Sequence, residues 1–227
     1  MSVSQTMEKT DTAHLAWDKR WQTEEGRADW LQPAEDVSTL IGKLARNGPV
    51  KALDLGCGVG RHALAFARAG FDTHAMDLSE AGLQELRESA RADDLKIATH
   101  LASMTELPFE DNSFDYVLSF NVIYHGDPEI VRKCVSEIAR VLKPGGLYQG
   151  TMLSKRNANF GIGTEVAQDT WVREGDDDKD HPHYYCSACE LVDLFDRFEL
   201  SYLEDKVHSK PGSWHWHLIA ELNKNEQ

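Results

Sequence analysis

Apolar residues in "AEDVSTLIGKLARNG" (34–48) fall at Val37, Leu40, Ile41 and Leu44, the spacing of one helix face, and Gly48 closes the run. The apolar cluster "VKALDL" that follows reads as a strand, and "RHALAFARAG" as a helix ending at Gly70. "FDTHAMDLS" predicts a second strand ending near Asp77, with Ser79 placed to cap the helix "EAGLQELRESARA". "LKIATHLA" supplies a third strand and "SFDYVLSFNVIYH" a fourth. "PEIVRKCVSEIARVL" is helical, with Ile130, Cys134, Ile138 and Val141 marking one face. "KPGG" then turns the chain into a fifth strand, "LYQGTMLS".

Strand and helix alternate in this way from Val50 to Leu153, the pattern of an α/β fold with a parallel sheet covered by helices. Ligands of such sheets bind beyond the carboxyl ends of the strands, where Gly56, Asp77, Ser103 and Asn121 fall. Past Ser154 the periodicity lapses until about residue 185, a long irregular connection of the functional or disordered kind. Within it the acidic run "EGDDDKD" (174–180) reads as a solvated surface, whereas "HPHYYC" is too aromatic for idle linker. "SACELVDLFDRF" predicts a helix, and "ELSYLEDKV" and "SWHWHLIAEL" two strands of a closing hairpin. Strand alternation in "SWHWH" puts Trp214 and Trp216 on one face, read as structural, and His215 and His217 on the other.

Composition narrows the function. The chain has 227 residues, a mean hydropathy of -0.49 and a net charge of -14, from 38 acidic against 24 basic side chains. Such a surface repels a phosphate backbone, so nucleic acid is not the expected partner. No apolar run is long enough to span a bilayer, and the polar start lacks the apolar stretch of a secretory signal; the expectation is a cytoplasmic protein, monomer or homodimer. Four cysteines are too few and too unevenly placed for a disulfide scaffold. The organisation expected is a lid or cap segment at 1–33 and one domain at 34–227, with a substrate-side insertion at about 155–185.

"LDLGCGVG" (53–60) carries glycines at 56, 58 and 60, which permit positive φ and close approach of a ligand, ahead of a helix N-terminus that favours an anionic group. A dinucleotide fingerprint would want a glycine at position 61, where Arg61 stands, and no Gly-Lys-Ser/Thr follows as in a phosphate-cradling loop. With Asp77 ending the second strand, "LPFEDNSFDYVLS" (107–119) and "VLKPGGL" (141–147), the loop closely resembles the successive motifs of class I S-adenosylmethionine-dependent methyltransferases. The resemblance covers roughly residues 37–153 and the terminal hairpin. It implies a Rossmann-like, seven-stranded, mostly parallel sheet with an antiparallel last strand and helices on both faces. It further implies that S-adenosylmethionine is bound and leaves as S-adenosylhomocysteine. Asp54 and the Gly56–Cys57–Gly58 backbone would surround the methionine moiety, Asp77 would accept from both ribose hydroxyls and Leu78 would pack on the adenine. Ser103 and Met104 would read the adenine edge, and Asn121 would join the cofactor site.

For the acceptor, "NVIYHGD" presents Tyr124 and His125 beyond the fourth strand, with His125 as base or hydrogen-bond donor, or as a residue holding the loop. "WDKRWQ" resembles the N-terminal lid of small-molecule members; Trp17 and Trp21, four apart, share a helix face and are assigned to substrate and cofactor. His183, Tyr184 and Tyr185 are expected to line an aromatic and imidazole pocket, the tyrosines orienting the acceptor or lying against the sulfonium, with Tyr184 also a catalytic candidate. Five histidines, His181, His183, His208, His215 and His217, share the last 47 residues with Cys186 and Cys189, but one C-x-x-C without a second pair does not make a zinc site, and no metal is expected. The activity expected is methyl transfer to a small molecule, with a thiol, sulfide or other chalcogen preferred because no acidic base or metal site dedicated to a hydroxyl is evident. Amine or hydroxyl acceptors, and a non-catalytic S-adenosylmethionine sensor, are the alternatives.

Overall fold

The computed structural model describes residues 12–175, 179–208 and 210–224. Helices α1 (Ala13–Trp21), α2 (Glu24–Arg27) and α3 (Glu35–Leu44) precede the first strand, with a short 3-10 turn at Ala28–Trp30. The alternating part runs β1 (Lys51–Leu55), α4 (Arg61–Arg68), β2 (Asp72–Asp77), α5 (Glu80–Ala92), β3 (Ala98–Leu101), β4 (Phe114–Ser119), α6 (Pro128–Val141) and β5 (Leu142–Ser154). Three short strands follow, β6 (Thr164–Ala167), β7 (Thr170–Val172) and β8 (His183–Cys186), then α7 (Ala188–Leu194) and the hairpin of β9 (Phe198–Val207) and β10 (Trp214–Leu222).

Strands β3, β2, β1, β4 and β5 pair in parallel in that spatial order, so the crevice opens where the order reverses between β1 and β4. β10 lies antiparallel between β5 and β9 and completes seven central strands. The sheet is larger than the sequence predicts. The connection at 155–185 is not irregular throughout: β6 and β7 form a hairpin, and β8 pairs with both β7 and the end of β5. Lys155 ties this insertion to the body, its ammonium 2.9 Å from Asp169 and 2.8 Å from Glu190. "KPGG" is not a turn ahead of β5 but a bulge within it, where the register with β4 shifts and Gly145 takes a φ of +79°. Of the acidic run, residues 176–178 lie outside the described residues.

Alternation along β4 sends Val117 into the core under α6 and α7, and Tyr116 and Leu118 into the core under α3 and α4. Both sheet faces are thus covered, as period-3.6 helices between buried strands require. Ser79 caps α5 by accepting from Gly82, and Ser187 and Glu190 form a reciprocal capping box on α7. In β10 the histidines turn out to be the buried face. His215 and His217 point inward while Trp216 donates to the Cys186 carbonyl at 2.9 Å and Trp214 lies 3.6 Å beneath the Arg156 guanidinium. No helix among the described residues is long and apolar enough to cross a membrane.

Candidate functional site

A pocket with about 850 Å³ of open space, mouth included, lies over the carboxyl ends of β1, β2 and β4. Its floor is the loop from Leu55 to Val59, one wall is Met76, Asp77, Leu78, Ala102 and Met104, and another is Phe120, Asn121, Val122 and His125. α1 forms the roof. Asp18 of α1 accepts from the Ser79 hydroxyl at 2.7 Å and the Ala81 amide at 3.0 Å, adding a carboxylate to the N-terminus of α5. The Ser79 hydroxyl, more than any other influence, holds the Asp18 carboxyl below its usual range. Trp17 and Trp21 stack with ring centroids 5.0 Å apart, and Trp30 meets both edge-on at 5.1 and 5.7 Å.

Each glycine of the loop is bare for its own reason. A Cβ on Gly56 would sit 2.4 Å from Val122, and one on Gly60 would sit 2.2 Å from Leu86 of α5, so protein packing excludes a side chain at both. Gly58 faces Trp21, 3.0 Å from where its Cβ would be, and its amide donates to Asp77 at 2.8 Å. The other Asp77 oxygen accepts from the Ser79 amide, also at 2.8 Å. Two backbone donors therefore fix this carboxylate at the end of β2 and occupy about half of its roughly four lone-pair positions. Burial pushes its pKa up against the pull of those amides.

Asp54 stands apart from the pocket. It is buried under the loop, accepts from the Ala63 amide at 2.9 Å as a cap inside α4, and burial raises its pKa to about 7. Ser103 turns away to Thr105, leaving Ala102 and Met104 on the wall. Asn121 adopts a φ of +64° at the turn out of β4, the left-handed region that Asn tolerates, and its bonds to Thr151 and His208 hold it there. Tyr184 and Tyr185 are in the core rather than on the pocket wall: the Tyr184 amide donates to the Tyr124 carbonyl and the Tyr185 ring lies against Phe160. Tyr124 is likewise buried, edge-on to His125 at 4.6 Å, and His183 meets His125 at 4.9 Å without reaching the pocket itself. The cysteines part: Cys186 is buried and Cys189 exposed.

Among the lining residues that escape the sequence reading, Trp30, Arg61 and His62 carry chemistry, as does His14. Trp30 is the third tryptophan of the N-terminal segment, and Arg61, set where a dinucleotide loop has glycine, places its guanidinium 4.8 Å from the Trp30 ring and 5.6 Å from Phe120. His62 accepts from the Ala34 amide at 3.2 Å and ties α4 to the start of α3. No carboxylate forms an ion pair with Arg61 among the described residues, which leaves a cation facing the pocket. Among the described residues, the Trp17 and Trp30 indole N–H groups and His14 Nδ1 are buried without a hydrogen-bond partner.

A family model of the methyltransferase domain matches residues 52–146. A demethylmenaquinone methyltransferase of Clavibacter sepedonicus is 41% identical over 97 residues, covering 42% of this chain and 38% of that protein. A sterol 24-C-methyltransferase of Gibberella zeae is 35% identical over 194 residues, covering 76% of this chain and 46% of that protein. The chain thus spans less than half the length of either relative. Among solved structures, the 1,6-didemethyltoxoflavin N1-methyltransferase of Burkholderia thailandensis superposes with a TM-score of 0.71 at 20% identity, over 93% of this chain and 88% of that one.

Proposed function

Since this chain carries a methyltransferase domain of the class I S-adenosylmethionine-dependent family, we propose that the protein transfers a methyl group from that cofactor to a small molecule with a thiol, sulfide or other chalcogen nucleophile. The observation that carries the cofactor assignment is the Asp77 carboxylate, fixed at the strand end by Gly58 and Ser79 with lone pairs left for two ribose hydroxyls. The residues present fit the group: Leu78 and Met104 offer an apolar wall to the base, and the unpartnered indole N–H groups and Arg61 suit a carboxylate. The stacked indoles suit a cation. When bound, S-adenosylmethionine supplies an electrophilic methyl on a sulfonium sulfur that is its own leaving group.

What the chain's residues do is enclose and align. α1 covers the crevice, and the Trp17 and His125 rings, in tilted contact at 6.0 Å, form one side of the pocket where an acceptor would sit. Proton removal is where the pocket is weak. Burial, then the charges of His181, Lys179 and His215, hold the His125 pKa well below that of a free imidazole, and burial does the same to His62. Such bases cannot ionise an alcohol near neutral pH, whereas a thiol needs little help. That weakness supports a chalcogen acceptor.

The test is calorimetric titration with S-adenosylmethionine and S-adenosylhomocysteine, followed by a homocysteine-release screen over thiol, sulfide, amine, phenol and carboxylate acceptors. Turnover on thiols or sulfides is the expected result. Turnover confined to amines or phenols would replace the acceptor class, binding without turnover on any would support a sensor, and absence of binding would overturn the reading.

A further inference from the structure

His125, His181 and His183 are buried together, and one ring nitrogen from each lies within 4.8 Å of the others. Ring centroids are 5.0 Å apart for His125 and His181, 4.9 Å for His125 and His183, and 4.4 Å for His181 and His183. Three imidazoles bound to one tetrahedral ion at 2.0–2.1 Å have centroids about 5 Å apart, so small ring rotations close the set. The loop after β4 supplies His125, the first residue of β8 supplies His183 and the segment just before it His181, brought together because the Tyr184 amide donates to the Tyr124 carbonyl.

Two of the three rings have outer partners that orient them as ligands require. His183 Nδ1 donates to the His181 carbonyl at 2.7 Å, which fixes the tautomer and leaves Nε2 with its lone pair outward. His181 Nδ1 lies 3.4 Å from the Asp180 carboxylate, the outer partner that orients a ligating imidazole. A cationic nitrogen already uses the site: the Lys179 ammonium lies 3.2 Å from His183 Nε2. His125 is the member of the set that also lines the pocket.

We propose that His125, His181 and His183 form a three-histidine site for a divalent ion of the zinc type, with its fourth position open toward the pocket. Neutral imidazoles suit zinc, and three protein ligands with one open position is the arrangement of catalytic rather than structural zinc. The ion displaces the Lys179 ammonium when it binds. Resting on the methyl-transfer reading, the fourth position takes the acceptor: a thiol replaces water on the ion, its sulfur bonds to the metal and its proton leaves to solvent. The ion thereby supplies the acidity that the pocket's bases lack.

The experiment uses the full chain without a histidine tag, stripped with chelator and titrated with Zn²⁺ by calorimetry, and with Co²⁺ by visible absorption. One ion per chain and a tetrahedral cobalt spectrum are expected. His181→Ala and His183→Ala should weaken binding beyond the roughly 10- to 100-fold that loss of an outer hydrogen-bond partner costs, while Lys179→Ala and Cys189→Ser leave it equal or tighter. Should the histidine variants fail to fold, nitrogen hyperfine couplings from three imidazoles on wild-type protein loaded with Cu²⁺ decide in their place. No stoichiometric binding, or binding lost in Cys189→Ser and kept without the histidines, would overturn the site. With cobalt bound, 2-mercaptoethanol should add a sulfur-to-metal charge-transfer band, and an unmoved spectrum would overturn the acceptor role. Because none of these readouts needs S-adenosylmethionine, they stand or fall separately from methyl transfer.

Discussion

Asp77 concentrates the case for a bound nucleoside in one side chain. Its two backbone partners need only an acceptor, which an asparagine can supply to one of them, but the ribose hydroxyls need the remaining lone pairs of a carboxylate. Asp77→Asn should weaken S-adenosylhomocysteine binding by roughly 10-fold or more, since one hydrogen bond to a charged group is worth about 1.5–3 kcal/mol; isothermal titration of a folded variant at unchanged affinity would refute the assignment. Gly60 carries a different load. At a φ of +86° and with Leu86 Cδ1 2.2 Å from the position of a Cβ, Gly60→Ala combines backbone strain with overpacking. It should cost about 2 kcal/mol or more. Leu86→Ala removes the obstruction at the expense of a cavity, so the double variant should be less destabilised in urea than the two single variants summed. Additivity there would mean that strain alone explains the loss.

Among the elements, α1 depends on few anchors. Asp18 joins it to the start of α5, and the Trp17, Trp21 and Trp30 rings meet over the loop. Asp18→Ala should leave the melting temperature of the body nearly unchanged and raise the dissociation constant for S-adenosylhomocysteine several-fold, because about 1 kcal/mol of capping is lost; tryptophan fluorescence reads both the cover and the ligand. Unchanged affinity would make α1 packing rather than lid. This element is half legible in the sequence: the i, i+4 spacing of Trp17 and Trp21 is local, whereas Trp30 joins them through ring contacts that no short window predicts. The same distinction runs through the fold. Capped and periodic segments such as Ser79 with α5, and Ile130, Cys134 and Ile138 on α6, are written in short windows and were recoverable. β6, β7 and β8 are short strands held by pairing with one another and with β5, a non-local cause that leaves little local pattern. Strand pairing of this kind carries Tyr184 and Tyr185 into the core, where local sequence gives no sign of it.

Across the whole molecule, buried histidines govern the response to acid. Outside the three-histidine cluster, burial lowers His62, His74, His100, His208, His215 and His217, with His208 and His217 at about 4 and His215 at about 3. Unfolding returns each to about 6.5. Between those limits the unfolded chain binds protons that the native one refuses, so stability falls as pH falls from about 6.5 toward 4. Asp54 works in the other direction. Burial raises it to about 7, so between about 3.8 and 7 the native state holds a proton that the unfolded state has released, and stability drops as pH rises through that window. The melting temperature should therefore peak near neutral pH, with the histidines setting a steep acid limb because they outnumber Asp54 and Asp77, the two carboxyls that burial raises. Asp54→Asn keeps an acceptor for the Ala63 amide and removes the ionisation, so it should raise the melting temperature at pH 8 and change it little at pH 4. Scanning calorimetry from pH 4 to 9, with chelator present to keep the histidine cluster metal-free, separates the two limbs. An acid limb without net proton uptake on unfolding at pH 5 would show that the buried imidazoles do not set it.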